Sequence, residues 1–190
     1  FRRVLFRSQF EGTQHALATS ASTLVMYVNP DLVEQAGGSM DDFPTTFDGV
    51  IELAAAIDAL GDNIDGVWIH RHDWRFQSLL GSHGGRPMTE DESDITFDSD
   101  AGKAAATLYQ RFADEAGMQS YGQNEARQAF PGGTLGIMFE SSSLKTRFEE
   151  GAGDSFDVTI KALPVVAEPS QVYFPTGGSG IVMLTDDPET

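Results

Sequence analysis

The chain contains no cysteine, which excludes disulfides, thiolate metal ligands and a cysteine nucleophile. The lack fits an exported bacterial protein, though cytosolic proteins also do without the residue. Long apolar runs are missing as well: none approaches the roughly 20 residues that a membrane-spanning helix needs. Positive charge is scarce, with 12 Lys and Arg against 29 Asp and Glu and a net charge of −17. Such a surface repels nucleic acid phosphates and anionic lipid heads, so neither is an expected partner. It reads as a well-solvated exterior or, alternatively, as adaptation to a salty habitat. No Gly-Lys-Ser/Thr occurs, and no helix follows Gly177-Gly178-Ser179-Gly180, so nucleotide-binding fingerprints are absent. A serine hydrolase has no support either, because no Gly-x-Ser-x-Gly elbow exists.

What remains is a chain of 190 residues, 40% hydrophobic and 22% charged, enough for one globular domain with a real core. Its two ends read as foreign or cut. Residues 1–8 hold three of the twelve basic residues and clash with the acidic chain that follows. They are expected to be non-native and are set apart from the fold. The other end stops just after an apparent strand, and no initiating Met or signal peptide is seen, so the chain is expected to be an internal piece of a longer protein.

Strands alternate with helices along the rest. Leu24 to Val28 is a short apolar run of strand type. Asn29 and Pro30 suit the N-cap and first position of a helix that Gly37 stops. Thr46 caps a second helix, with Phe47, Val50, Ile51, Ala54, Ile57 and Leu60 at helical spacing up to Gly61. Gly66 to His70 reads as a strand that places Trp68 in the core. Asp73 is expected to cap a helix from Trp74 to about Ser82, and Ile95 to Phe97 reads as a short strand. Ser99 caps the strongest helix, running through Ala104, Leu108, Phe112 and Ala116. Asn124 to Phe130 is a short helix and Leu135 to Phe139 a strand. A helix opens at Ser141-Ser142-Ser143 and ends at Gly151. Phe156 to Leu163 and Ile181 to Leu184 complete the pattern as strands. The alternation argues for α/β architecture.

Several residues carry chemistry that a small polar ligand needs. Ser22 and Thr23, at the mouth of a strand, present hydroxyls that either close a turn or meet a ligand. Trp74, at a helix start, offers a flat ring for the apolar face of a sugar. Ser141, Ser142 and Ser143 open a helix directly after a strand, where free N–H groups suit a phosphate or sugar hydroxyl, against plain capping as the alternative. Glu140 beside them accepts from sugar hydroxyls but repels an anion. Gly177 and Gly178 let a backbone approach a ligand closely, or simply make a turn. His70 and His72, with Asp73 and His83 nearby, are the best metal candidates. The further histidine that a His-x-His-x-Asp-His site needs is replaced by Trp74, so they read as ordinary histidines. Carboxylates such as Asp91 and Glu92 lie in polar loops and read as solvated charge.

The stretch Ser20-Ala-Ser-Thr-Leu-Val-Met-Tyr-Val-Asn-Pro-Asp-Leu-Val-Glu-Gln-Ala-Gly37 resembles the central motif of the extracellular solute-binding proteins that feed sugars and glycerol phosphates to ABC importers. Three further segments match in order: Gly66 to Gly85; Phe130-Pro-Gly-Gly-Thr-Leu-Gly-Ile-Met-Phe139 with the serines after it; and Gly177-Gly-Ser-Gly180. The chain departs from the family in having Thr-Phe-Asp-Gly where a Thr-Trp-Asp-Glu-like helix start is usual, and in lacking the basic residue usual after Phe130. The resemblance implies a two-lobed, type II periplasmic-binding-protein-like α/β fold, of which this chain covers the hinge region and most of the C-terminal lobe. It implies an inter-lobe crossing over residues 9–28, the C-terminal lobe over 29–176 and a return crossing over 177–190. It further implies reversible binding of a sugar, oligosaccharide or glycerol-phosphate-type solute, without catalysis, metal or organic cofactor. Ser22, Thr23, Trp74, the Ser141–Ser143 turn, Gly177 and Gly178 would line that site. The implied partners are a small polar solute and the permease subunits, with the protein a monomer outside the cytoplasm. Two other readings stay open: a carbohydrate-active hydrolase with paired carboxylates and tryptophan platforms, and a non-binding structural domain.

Overall fold

The structure, a computed structural model, describes residues 9–10 and 13–182. The segment 1–8, the last two residues of the expected final strand and the terminal residues 185–190 lie outside the described residues.

The fold has two parts built on different principles. A four-stranded sheet of order β5-β6-β4-β7 forms the body, from β4 (Leu24–Val28), β5 (Asp65–Ile69), β6 (Leu135–Ser141) and β7 (Thr159–Lys161). β5 runs parallel to β6, whereas β4 runs antiparallel to β6 and to β7. A separate antiparallel ribbon pairs β3 (Ala16–Ser22) with β8 (Gly177–Val182), and a minimal pair joins β1 (Gln9–Phe10) to β2 (Thr13–Gln14). Only Thr23 separates β3 from β4, so at this residue the chain passes from ribbon to sheet.

Side chains alternate across a strand, and here both faces of the sheet are covered. Met26, Val28, Val67, Ile69, Ile137 and Phe139 face one core. It is closed by α1 (Pro30–Gln35), α2 (Phe47–Asp58), α3 (Asp73–Ser82) and α4 (Asp100–Glu115). Val25, Tyr27, Trp68 and Met138 face the other, covered by α5 (Gln123–Ala129) and α6 (Lys145–Ala152). There Tyr27 meets Phe148 edge-on at 4.7 Å, and Phe130 packs on Phe148 at 5.2 Å and on Phe156 at 5.7 Å. Perpendicular and tilted ring pairs are favoured by the aromatic quadrupole. Helices on both faces of a mixed sheet confirm the α/β reading.

Local signals held where a side chain could enforce them. Asn29, Thr46 and Ser99 each accept from a backbone N–H of the first helical turn. The structure differs elsewhere. The cap of α3 is His72, whose Nδ1 accepts from Trp74 N at 3.4 Å; Asp73 is the first helical residue, and its Oδ1 accepts from the same N–H at 2.7 Å. In α4 the inward small residue is Ala105, and Ala104 is only half-buried, one step round the helix. Ile95 and Phe97 are exposed, and the expected strand reduces to a single bridge between Met88 and Ile95. β7 is shorter than the alternation over 156–163 predicts, and β8 begins at Gly177 itself.

Candidate functional site

The residues singled out in the sequence gather where the ribbon meets the sheet. The carboxyl ends of the parallel strands β5 and β6 lie on one edge, the edge at which open α/β sheets bind ligands. β4 runs the other way, so its first residue arrives at that same edge, with Leu24 paired to Ser141. Thr23 and Ser142 are clamped to one another: Ser142 N donates to the Thr23 carbonyl at 2.9 Å and Thr23 N donates to Ser142 Oγ at 3.2 Å. Tyr27 supports the same corner from the core, its hydroxyl donating to the Ser141 carbonyl at 2.8 Å. Burial pushes that phenol well above its ordinary pKa, with the negative charge of Glu140 adding to the effect, so it stays a donor.

Ser22, Gly177 and Trp74 converge beside this corner. Ser22 is the register partner of Gly177 across the ribbon. A Cβ built on Gly177 would lie 2.8 Å from Ser22 Oγ and 3.6 Å from Trp74 Cζ2. The indole edge and the hydroxyl therefore meet over a bare backbone. Trp74 is half-buried, and its Nε1 has no acceptor among the described residues. Trp68, by contrast, is only 2% exposed and belongs to the core. Gly178 has a different reason to be glycine: a Cβ there would lie 2.3 Å from the Ser20 carbonyl oxygen, inside the ribbon. The ribbon shifts register between Ala18 and Ser20. There Thr19 Oγ1 donates to the Ser179 carbonyl at 3.0 Å and Ser179 N donates to Ser20 Oγ at 3.1 Å.

The three serines are not a free helix start. Ser142 to Leu144 form a 3₁₀ turn ahead of α6. Ser142 N is engaged by Thr23, and Ser143 N donates to Ser141 Oγ at 3.3 Å. Two of the N–H groups expected for an anion are thus already satisfied within the protein. Glu140 differs from its expectation too. It is 1% exposed and held by Arg75 Nη2 at 2.5 Å, the Ser141 backbone N–H at 2.8 Å, Gln123 Nε2 at 2.9 Å and Arg127 Nε at 3.2 Å. Both oxygens of the carboxylate are engaged by donors within the protein, and two guanidinium groups offset its charge. Arg75, Gln123 and Arg127 were not foreseen; the one available signal was a cation at an inward position of α3 in a chain poor in cations.

The histidines sort differently from the metal pattern. Trp68, His70 and His72 stack in series, with ring centroids 5.6 and 5.5 Å apart, and Tyr121 continues the stack beyond Trp68 at 6.2 Å. Burial, with the Arg75 charge second, lowers the His70 pKa below its ordinary value. His83 stands at the far end of α3, stacked on Phe47 and bonded to the Leu79 carbonyl. Among the described residues no three His, Asp or Glu side chains are placed to hold a metal ion. Asp91 is tied to Thr89 and Ser93 within an exposed loop. No helix among the described residues is long and apolar enough to cross a membrane.

Residues 5–190 match the family described as bacterial extracellular solute-binding protein. A protein of Brucella abortus described as a binding protein is 26% identical over 187 residues, which are 94% of this chain and 43% of that protein. The fold is shared with an ABC transporter solute-binding protein of Thermotoga lettingae bound to α-D-tagatose: TM-score 0.81, 18% identity, 99% of this chain and 50% of that one. It is shared equally with UgpB of Mycobacterium tuberculosis in complex with glycerophosphocholine: TM-score 0.82, 22% identity, 99% of this chain and 47% of that one. The chain thus spans about half the length of the proteins it matches.

Proposed function

The chain belongs to the bacterial extracellular solute-binding protein family, and from that premise we propose that it binds a sugar, oligosaccharide or glycerol-phosphate-type solute for an ABC importer. In this reading the C-terminal lobe, expected over 29–176, also takes in β4 from Leu24, which belongs to the body sheet and not to the crossing, and the β3–β8 ribbon crosses to a second lobe. The ligand lies over the Ser22–Gly177–Trp74 junction, between the lobes. The observation that carries the reading is that junction: an aromatic edge and a hydroxyl from distant segments brought together over a glycine backbone.

Each group has a role in such a site. The Trp74 ring takes the apolar face of a sugar or polyol. The Ser22 hydroxyl, with no partner among the described residues, donates to or accepts from a ligand hydroxyl. Gly177 leaves room for the Ser22 hydroxyl and the indole edge to come together, while Thr23 and the Ser141–Ser143 turn build the wall behind them. Lobes of this kind close on a solute by bending at the crossings, and the closed form is what a permease recognises. The protein acts outside the cytoplasm as a monomer and leaves its ligand chemically unchanged. The hydrolase alternative gains nothing, because the one buried carboxylate among the described residues, Glu140, is neutralised by two guanidinium groups. The arguments about phosphate cancel, since neither the repulsion expected from Glu140 nor the free helix start expected at Ser141–Ser143 survives.

Equilibrium dialysis of the two-lobed protein against maltose, mannitol, tagatose and glycerophosphocholine tests this. Saturable retention of one of them, recovered intact, is the expected result. Recovery of cleavage products, or no retention of any solute, contradicts it.

A further inference from the structure

Glu140 does more than neutralise its neighbours. Its two oxygens tie together α3 through Arg75, α5 through Gln123 and Arg127, and the end of β6 through the Ser141 N–H. The Arg75 and Glu140 side chains are 5% and 1% exposed. A buried ion pair of this kind is no more stable than well-packed apolar residues of similar volume, so stability alone does not account for it. What an ion pair adds over apolar packing is a fixed geometry between segments that are distant in sequence, here 65 residues apart.

Two details say what is being held. The Arg75 guanidinium lies against the ring of its neighbour Trp74, 5.8 Å from the centroid, which orients the indole as well as α3. The oxygen that receives Arg75, Oε1, is also the one that receives Ser141 N. The tryptophan and the serine turn are therefore referenced to a single atom. Arg75 makes this contact at a cost, since its buried Nε has no acceptor among the described residues. A polar group left unsatisfied in a buried position is typical where geometry outranks stability.

We propose that Arg75 and Glu140 are positioning residues, which set where the Trp74 ring stands relative to the Ser141 turn and so set ligand affinity without touching the ligand. The proposal rests on the reading that Trp74 lines the binding site.

Acrylamide quenching of tryptophan emission in the unliganded chain separates the two ideas. Trp68 is buried, so the quencher reports on Trp74. Glu140→Gln keeps the shape and removes the charge; Arg75→Lys keeps the charge and removes the planar fork. Each is expected to raise the quenching constant at least twofold while thermal unfolding stays cooperative, and to have no such effect in a Trp74→Phe background. Both are also expected to weaken binding of the retained solute about tenfold in the two-lobed protein, and to add little to the loss in a Trp74→Ala background. If Glu140→Gln does not fold, Arg75→Lys and the milder Arg127→Gln carry the same test. Unchanged quenching in the folded variants overturns the positioning role and leaves the binding reading intact. Raised quenching in a protein that binds none of the solutes supports the positioning role and overturns the binding reading.

Discussion

The four-stranded body and the two-stranded ribbon make opposite use of the same chain. All five residues of β4 and the first six of β6 are buried. In the ribbon Leu17, Ile181 and Val182 are 63%, 65% and 52% exposed. The body is held by two apolar cores and a buried ionic knot. The ribbon is held by its backbone ladder and the hydroxyls of Thr19 and Ser20. A two-stranded ribbon with no core of its own is marginal in isolation. The candidate site sits where the two regimes meet, at Thr23, with Trp74 contributed by the rigid side and Ser22 and Gly177 by the compliant one. On the reading proposed above, this is how a site keeps its shape on one wall while the other moves.

The contrast can be broken or sharpened by substitution. The largest effect is expected for Glu140→Ala, which strands two guanidinium groups at the inner edge and costs about 3–5 kcal/mol. Phe112→Ala, beneath Phe139 at 5.4 Å, is expected to cost a similar ~3–5 kcal/mol by leaving a cavity. Urea unfolding checks both, and a loss below about 1 kcal/mol in either would erase the distinction between body and ribbon. Next comes Gly178→Ala, where the new methyl meets a backbone carbonyl that has no way to rotate aside. A loss of roughly 1–3 kcal/mol is expected, with faster amide exchange along β3 and unchanged exchange along β6.

A smaller effect belongs to His70. Its pKa is depressed in the folded protein relative to the ordinary 6.5, so the unfolded chain binds the proton more readily. Stability is therefore lost as pH falls through 6.5 toward the depressed value. His70→Gln is expected to flatten the stability profile in that window, read from urea midpoints at successive pH values. The smallest effect is expected for Leu17→Ala in the ribbon, within about 0.5 kcal/mol of the original.

How much of this was legible depends on the range of the interaction. Caps act over three residues, and Asn29, Thr46 and Ser99 could be read from the chain. Apolar spacing placed α2 and α4, and the strand pattern over 66–70 placed Trp68 in the core. Asp73 has a carboxylate of capping type, but α3 starts one residue earlier than the apolar spacing predicts, which puts His72 at the cap position. β8 was begun too late because glycine has little strand propensity; its pairing to Ser22 comes from the partner strand. Arg75 and Glu140 could not be matched at all, since nothing local in a 65-residue separation marks which carboxylate an inward arginine will meet. For the same reason the clamp between Ser142 and Thr23, 119 residues apart, has no local mark in the sequence.

The most direct measurement is a tryptophan fluorescence titration of the two-lobed protein with maltose and with glycerophosphocholine, run in parallel on Trp74→Ala. The account predicts a saturable change with one of these solutes that the substitution abolishes. A saturable change of equal size in the Trp74→Ala protein would contradict it.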